Sequence, residues 1–414
     1  MTRRNPLILL LCLLTAFACQ QPLALHAQSP VVPPQSSSNT ENTNTPTATV
    51  EQLVNRLNSP VFSIRQAASA ELMKLDESHG ESLRNARSTS TGEVALRLSR
   101  VLDALSTCWF QQHLTSLEDQ PTTDNADAFV DWFRFQSLAQ NNDDALQLFP
   151  QLLHSEPALF TARQYQPDTL SALLESRATA FAALCNGRED QPFPANSAMA
   201  LMLIASDPNV RLLRATSTAI SSCLDDPRFH QLVEHGVHAP LVRNLLATWF
   251  ERPGISPDRP LMFATQHRLD SGRPLAVRVL QSQPRGARGF HALMCLAALN
   301  SQQDLPLIES LLDAPSPIWP PKNAPSIPGP DNRQLASTWQ VQLGDAALLA
   351  ALHLRNAIAT FPDLKPIPSD VTLYRLDSIG FESEDLRKKA HTAYKSGFPS
   401  AAVPTPGDPN QLPQ

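Results

Sequence analysis

Glycine is scarce in this sequence, and the glycine-rich motifs of nucleotide-binding and hydrolytic enzymes are missing. The chain of 414 residues holds 13 glycines. No G-x-x-x-x-G-K, G-x-G-x-x-G or G-x-S-x-G pattern occurs, which excludes the usual phosphate-binding loops and the nucleophile elbow of hydrolases. A C-x-x-C pair is also missing, so a structural zinc site of that type is excluded.

Strand-like alternation of apolar and polar residues is rare as well, and this favours an all-α fold. Proline is abundant instead, with 37 residues. In a helical chain, prolines end helices and stiffen the connections between them.

After the first residues, no stretch is apolar enough to span a membrane. Met1–Ala27 has the pattern of a signal peptide, because Arg3 and Arg4 precede the short apolar run Pro6–Ala18. The protein is therefore expected to be exported, either to the periplasm or out of the cell. Lipid attachment at Cys19 is the alternative.

The charge argues against a general nucleic-acid binder. The formal net charge is −6, and removal of Met1–Ala27 takes away two arginines and no acid, which leaves −8. Such a charge favours solubility, although local basic patches remain possible, for example Arg273–Arg288.

Four cysteines lie outside the leader, far apart and among apolar residues. An even number permits two disulfides in an exported protein, but buried free thiols are the simpler interpretation. The four are Cys108, Cys185, Cys223 and Cys295.

The clearest pattern in the chain is a pair of short amphipathic helices at its start. Val50, Leu53, Val54 and Leu57 recur at helical spacing, and Asn58-Ser59-Pro60 ends that helix. A second helix begins near Phe62. Its predicted apolar stripe consists of Ile64, Ala67, Ala68, Leu72 and Leu75. Neither helix can cover its stripe alone, so each needs a neighbour.

A shift of thirty residues places the pair on a second copy, with Leu53 on Leu83 and Leu72 on Leu102. Such a period is typical of stacked helical repeats. At Ile64-Arg65-x-x-Ala68-x-x-x-Leu72, the chain resembles the HEAT-repeat family of armadillo-like α-solenoids. Weaker copies are Gly80–Leu105, a pair around Asp207-Pro208-Asn209-Val210-Arg211, and His291–Ala314.

The resemblance implies an all-α fold of the α-α superhelix class, with irregular repeats; an ordinary helical domain is the alternative. The predicted order is a signal peptide, a disordered linker, HEAT-like repeats, a proline-rich loop, a C-terminal helical segment and a disordered tail. The boundaries are 1–27, 28–49, 50–312, 313–332, 333–398 and 399–414. Within this order, Val210–Leu224 and Trp339–Phe361 are each predicted to be one helix.

The aromatic cluster Phe129, Trp132, Phe133 and Phe135 is predicted to fill the core, with an exposed binding surface as the alternative.

The only dense group of possible metal ligands is His230, Glu234, His235 and His238. Their spacing matches neither H-E-x-x-H nor H-x-x-E-H, and a solvated helix end explains the group equally well. Adjacent acids such as Asp225-Asp226 are expected to start a helix.

No catalytic, cofactor-binding or metal-binding residue is therefore predicted. Because stacked helix pairs present an extended surface that binds protein or peptide, we expect a non-enzymatic scaffold of the cell envelope. Two alternatives remain: a metal-dependent hydrolase that uses His230, Glu234, His235 and His238, and a lipid-anchored structural envelope protein.

Overall fold

The computed structural model describes residues 49–139, 141–185, 193–282, 286–319 and 341–398. These residues are almost entirely helical, as the composition predicts. The signal peptide at 1–27, the linker up to residue 48, most of the proline-rich loop and the tail at 399–414 lie outside the described residues. No helix of the described ranges is long and apolar enough to cross a membrane.

The described residues of the first half of the chain form ten α-helices. They are α1 (Val50–Leu57), α2 (Phe62–Leu72), α3 (Gly80–Thr89), α4 (Gly92–Asp119), α5 (Thr123–Ala126), α6 (Trp132–Leu138), α7 (Asn142–Ser155), α8 (Pro157–Tyr165), α9 (Pro167–Cys185) and α10 (Ala195–Ala205).

In the second half, the part of the chain that the structure describes contains nine α-helices and four short strands. The helices are α11 (Arg214–Ile220), α12 (Pro227–His235), α13 (Ala239–Glu251), α14 (Asp258–His267), α15 (Gly272–Gln281), α16 (Ala287–Ala298), α17 (Leu305–Glu309), α18 (Leu343–Leu354) and α19 (Glu384–Gly397). Strand β1 (Pro317–Trp319) pairs antiparallel with β2 (Val341–Gln342), and β3 (Pro368–Ser369) pairs antiparallel with β4 (Leu373–Tyr374).

The first helix of the founding pair has the predicted boundaries, and the second begins at Phe62 as predicted but ends at Leu72, before the predicted Leu75. Thr49 caps α1 in a capping box with Gln52, and Leu53 and Leu57 are buried. On α2, however, only Ala68 and Leu72 are buried, and Ile64 is exposed. The prediction of a fully covered stripe is therefore wrong at Ile64 and Ala67, which are exposed, and at Leu75, which lies beyond the end of α2 and is half-buried. The reason is that α2 belongs to the first described pair, where it packs on α1 and α4.

Helix packing advances along the chain. α1 packs on α3, α2 on α4, α4 on α7 and α8, α7 on α10, α10 on α13, α13 on α15, α14 on α16, and α16 on α18. These helices thus pack on helices further along the chain as well as on their immediate neighbours, and buried leucines occur throughout the described chain.

Two predicted helices differ from the structure. In the predicted helix Val210–Leu224, the residues up to Leu213 are not helical. α11 begins only at Arg214 and is followed by a 3-10 turn at Ser221–Asp225. The turn before it is held by Asp207, whose carboxylate accepts a hydrogen bond from the Asn209 N–H at 2.8 Å. This side-chain bond competes with helix formation.

The helix predicted at Trp339–Phe361 is shorter, since β2 occupies Val341–Gln342 and α18 covers Leu343–Leu354. Gln342 and Asp345 form a capping box that starts α18. Asn356 adopts a left-handed conformation with φ 53° just after its end. Gly344 packs so closely on the preceding chain that an added Cβ would lie 2.4 Å from the Leu312 carbonyl oxygen.

The aromatic cluster divides between core and surface. Phe129, Trp132 and Phe135 are buried and surround Phe149 of α7, with ring centroids 5.2–5.8 Å from it. Phe133 is 66% exposed, so the core prediction is wrong for this residue. It lies one position after Trp132 on α6, and the helical turn of about 100° per residue carries it away from the core.

The four cysteines are free thiols in the structure. Cys223 and Cys295 are buried as expected, and burial raises the pKa of both; that of Cys295 rises to about 12. Cys185 is half-buried, and Cys108 is exposed on α4, contrary to the expectation of an apolar environment.

Candidate functional site

The predicted histidine group lies at the end of α12 and the start of α13. Asp226 caps α12, accepting a hydrogen bond from the Arg228 N–H at 2.9 Å, and Pro227 is the first helical residue. The adjacent Asp225 pairs with Arg259 at 2.6 Å. The two acids therefore start a helix, as the sequence indicates, and the helix presents His230 and Glu234 one turn apart.

The structure brings His230 and Glu234 together through a third residue, His267 of α14. The Nε2 atom of His230 lies 2.8 Å from the Leu224 carbonyl oxygen, and its Nδ1 atom lies 3.1 Å from His267 Nε2. On the other side of the ring, His267 Nδ1 lies 2.9 Å from Glu234 Oε1. The result is a chain of polar contacts between α12 and α14.

His235 and His238 do not join this chain. The side chain of His235 is 80% exposed and lies 3.6 Å from Glu234, and the Nδ1 atom of His238 is buried without a hydrogen-bond partner. Within the described ranges, no group of three or more His, Cys, Asp or Glu side chains is arranged to hold a metal ion. The geometry gives the metal-hydrolase hypothesis no set of ligands.

The sequence reasoning missed His267 because it placed no helix at residues 258–267. A signal was present: Pro257, Asp258 and Pro260 together are typical of the first turn of a helix. The side chain of His267 is 3% exposed and its ring lies 4.3 Å from that of Phe263. Burial lowers the pKa of His267, the charge of His230 lowers it further, and Glu234 acts in the opposite direction.

A second cluster of charged residues joins α6, α8 and the turn after α10. Arg163 donates to the Asp207 carboxylate and lies 3.5 Å from Asp131. Arg134 donates to the Ser206 hydroxyl and lies 3.9 Å from Asp207. Both carboxylates are buried. The sequence did not reveal this cluster, because its members are up to 76 positions apart (131 to 207) and belong to no local motif.

The pKa values of the two buried carboxylates shift in opposite directions. Burial raises the pKa of Asp131, and Arg163 and Arg134 only partly compensate. At Asp207 burial also disfavours the charge, but the Asn209 N–H and the two arginines outweigh it and lower the pKa. The cluster joins α6, α8 and the turn after α10, and we assign it a structural role.

Exposed hydrophobic side chains are most numerous on the first two helix pairs of the described chain. Of the twelve large hydrophobic side chains that are exposed in the described chain, five lie on α2, at its two ends or on the first turns of α4. We call this set the N-terminal apolar surface; it consists of Val61, Phe62, Ile64, Met73 and Leu96.

Phe62 is the largest member of the N-terminal apolar surface and is 62% exposed. The guanidinium groups of Arg65 and Arg97 each lie 5.7 Å from the centroid of its ring. Both arginines pair with Glu93, at 3.2 and 2.8 Å. The ring is thus held in place at the junction of α2 and α4 and remains accessible.

Comparisons of this chain with protein-family models, with curated proteins and with solved structures found no match.

The cluster of Arg163, Asp131 and Asp207 makes a testable prediction about stability. Arg163→Met should lower the free energy of unfolding by about 3–5 kcal/mol, because it removes the cation that contacts both buried carboxylates and leaves only Arg134, 3.9 Å from Asp207. Urea unfolding would measure the loss. The matched control is Arg259→Met, which breaks the largely exposed pair with Asp225 and should cost less than about 1 kcal/mol. Equal losses in the two variants would show that the buried cluster is not a special contributor.

Proposed function

We propose that the described chain is an α-α superhelix of irregular HEAT-like helix pairs, and that it serves as a non-enzymatic protein- or peptide-binding scaffold. Three features of the fold support the architecture. The first helix has the boundaries that the repeat predicts, packing advances from pair to pair, and arginines connect one pair to the next. Arg65 illustrates the third feature, since it donates to the carbonyls of Ser59 and Pro60 and pairs with Glu93 of α4.

The proposed architecture predicts that a core mutation acts locally. Leu57→Ala in α1 should increase amide hydrogen exchange in α1–α4 and leave α16–α18 unchanged, because each repeat depends on its neighbours. Leu348→Ala in α18 should do the reverse. Both leucines are fully buried, so the two variants remove the same group from equivalent environments. If either mutation loosens the whole chain equally, the helices share one core and the repeat architecture is wrong.

The observation that carries the proposed function is the N-terminal apolar surface. Exposed hydrophobic side chains that cluster on a soluble domain commonly mark an interaction site. The Phe62 ring, flanked by two arginines, suits a peptide segment that presents apolar side chains. A second copy of the chain would be one such partner, and a different protein another.

Photo-crosslinking tests the binding proposal. A benzoylphenylalanine in place of Phe62 should give a discrete crosslinked product in the cells that make the protein. The matched control is the same probe at Lys389 of α19, whose side chain is 75% exposed. Mass spectrometry of the product distinguishes a second copy from another protein. If the probe at residue 62 gives no product beyond those of the control, the N-terminal apolar surface is not a binding site.

The location in the cell envelope is proposed from the sequence. We propose that the chain is exported and released into the periplasm or the medium, with lipid attachment at Cys19 as the alternative. Mass spectrometry of the mature N-terminus should find a chain that starts at Gln28, after cleavage behind Ala27. A lipid-modified Cys19 would support the anchored form, and an intact Met1 on the protein in the cell would contradict export.

A further inference from the structure

Two of the four thiols lie at one junction of the fold. α9 ends at Cys185, and it packs on α11 and on the 3-10 turn Ser221–Asp225 that follows α11. Cys223 lies inside that turn. The thiol of Cys185 is hydrogen-bonded to the side chain of Ser222, the residue next to Cys223. Two cysteines that are 38 positions apart in the sequence (185 to 223) therefore meet where α9 ends.

The electrostatics of Cys223 also indicate that the two thiols are neighbours. Burial is the main cause of its raised pKa, and the next cause is the negative charge that Cys185 carries as a thiolate. A Coulomb interaction weakens with distance, so this effect requires the two groups to lie close together. Cys295 has different surroundings: burial raises the pKa of its thiol to about 12, and the hydrogen-bond partner of that thiol is Thr265.

The positions of the two thiols suit the formation of a bond between them. A disulfide requires Cα atoms about 4.4–6.8 Å apart, so the end of α9 and the turn must be in direct contact. Cys185 is the last residue of α9, and helix ends adjust more readily than helix interiors. Cys185 is half-buried and can be reached by a reagent, whereas Cys223 is buried behind it.

We propose that Cys185 and Cys223 are oxidised to a disulfide that joins the end of α9 to the turn Ser221–Asp225. The oxidant is an organic disulfide. The Cys185 sulfur attacks one sulfur of the oxidant, whose S–S bond breaks; one thiol leaves, and a mixed disulfide remains on Cys185. The Cys223 sulfur then attacks the Cys185 sulfur and releases the second thiol. The two cysteine protons end on the two released thiols, so the oxidant gains the two electrons that the cysteines lose.

The burial of both thiols governs how the bond forms and how long it lasts. Burial raises the pKa of Cys185 to about 11, so the reactive thiolate is scarce at neutral pH and the bond forms slowly. Once formed, it is protected from reductants on the side of the buried Cys223. The bond closes a loop of 38 residues (185 to 223) and so restricts the unfolded chain. This inference goes beyond the scaffold function and does not depend on it.

Oxidation of the purified protein tests the pair. The reduced, folded chain is incubated with glutathione disulfide at about pH 8.5, near the pKa of a free thiol. Remaining thiols are then blocked with a maleimide, and the peptides are analysed by mass spectrometry without reduction. We expect one linked peptide pair, Cys185 with Cys223, and free Cys108 and Cys295. At about 10 μM protein, this link should exceed any intermolecular link about 100-fold, because neighbouring thiols have an effective concentration in the mM range.

The oxidised protein should also unfold at a higher temperature than the reduced one. Cys185→Ser should lose both the link and this difference, and Cys108→Ser, which removes the exposed thiol of α4, should keep both. The proposal is overturned if the link forms only in urea, if other pairs form equally well, or if glutathione stays on Cys185 because Cys223 cannot displace it. Should Cys185→Ser fail to fold, the linked peptides of the unmodified protein decide. Because the protein is oxidised after purification, the result does not depend on export or on a binding partner.

Discussion

This fold depends on polar contacts made by arginine side chains. Each of these side chains reaches from its own helix to a turn or helix end elsewhere in the described chain. Arg273 of α15 holds Asp304 with two hydrogen bonds of 2.7 Å, and Arg387 of α19 holds the buried Asp345 of α18. Others bind backbone carbonyls, as Arg252 does at Ala205. Without these arginines, the carboxylates and carbonyls at the helix ends would be buried without partners. For a buried charge, the cost is about several kcal/mol.

The sequence predicts well which leucines are buried, and it predicts poorly which polar side chains contact each other. Leu53, Leu57, Leu72 and Leu102 can be identified by helical spacing alone, and all four are buried. Spacing works because a helix repeats every 3.6 residues, so residues at that period lie on the one face that other helices cover. The polar contacts join residues such as Arg163 and Asp207, 44 positions apart, and nothing in a local pattern connects them.

The same limit explains the histidine group. His230 and Glu234 share a helix face, and their proximity could be predicted from sequence. Their partner could not, because it arrives from α14, 37 residues after His230. The sequence grouped His235 and His238 with them because they are near in the chain, but the ring of His235 is largely in solvent and His238 Nδ1 has no hydrogen-bond partner. Proximity in sequence is therefore a poor guide to which imidazoles meet, whereas helix packing decides it.

The two ends of the described chain differ in how far their helices expose hydrophobic side chains. At the C-terminal end, α19 is polar and is fastened by Tyr394, whose hydroxyl donates to Glu309 at 2.7 Å, and by Arg387. At the N-terminal end, α2 leaves Phe62 and Ile64 exposed. A terminal repeat that needs only solubility would carry polar residues there, as α19 does. On the proposed repeat architecture, the chain meets that requirement at one end and not at the other, and the exposed apolar side chains of α2 support the proposal of a binding partner.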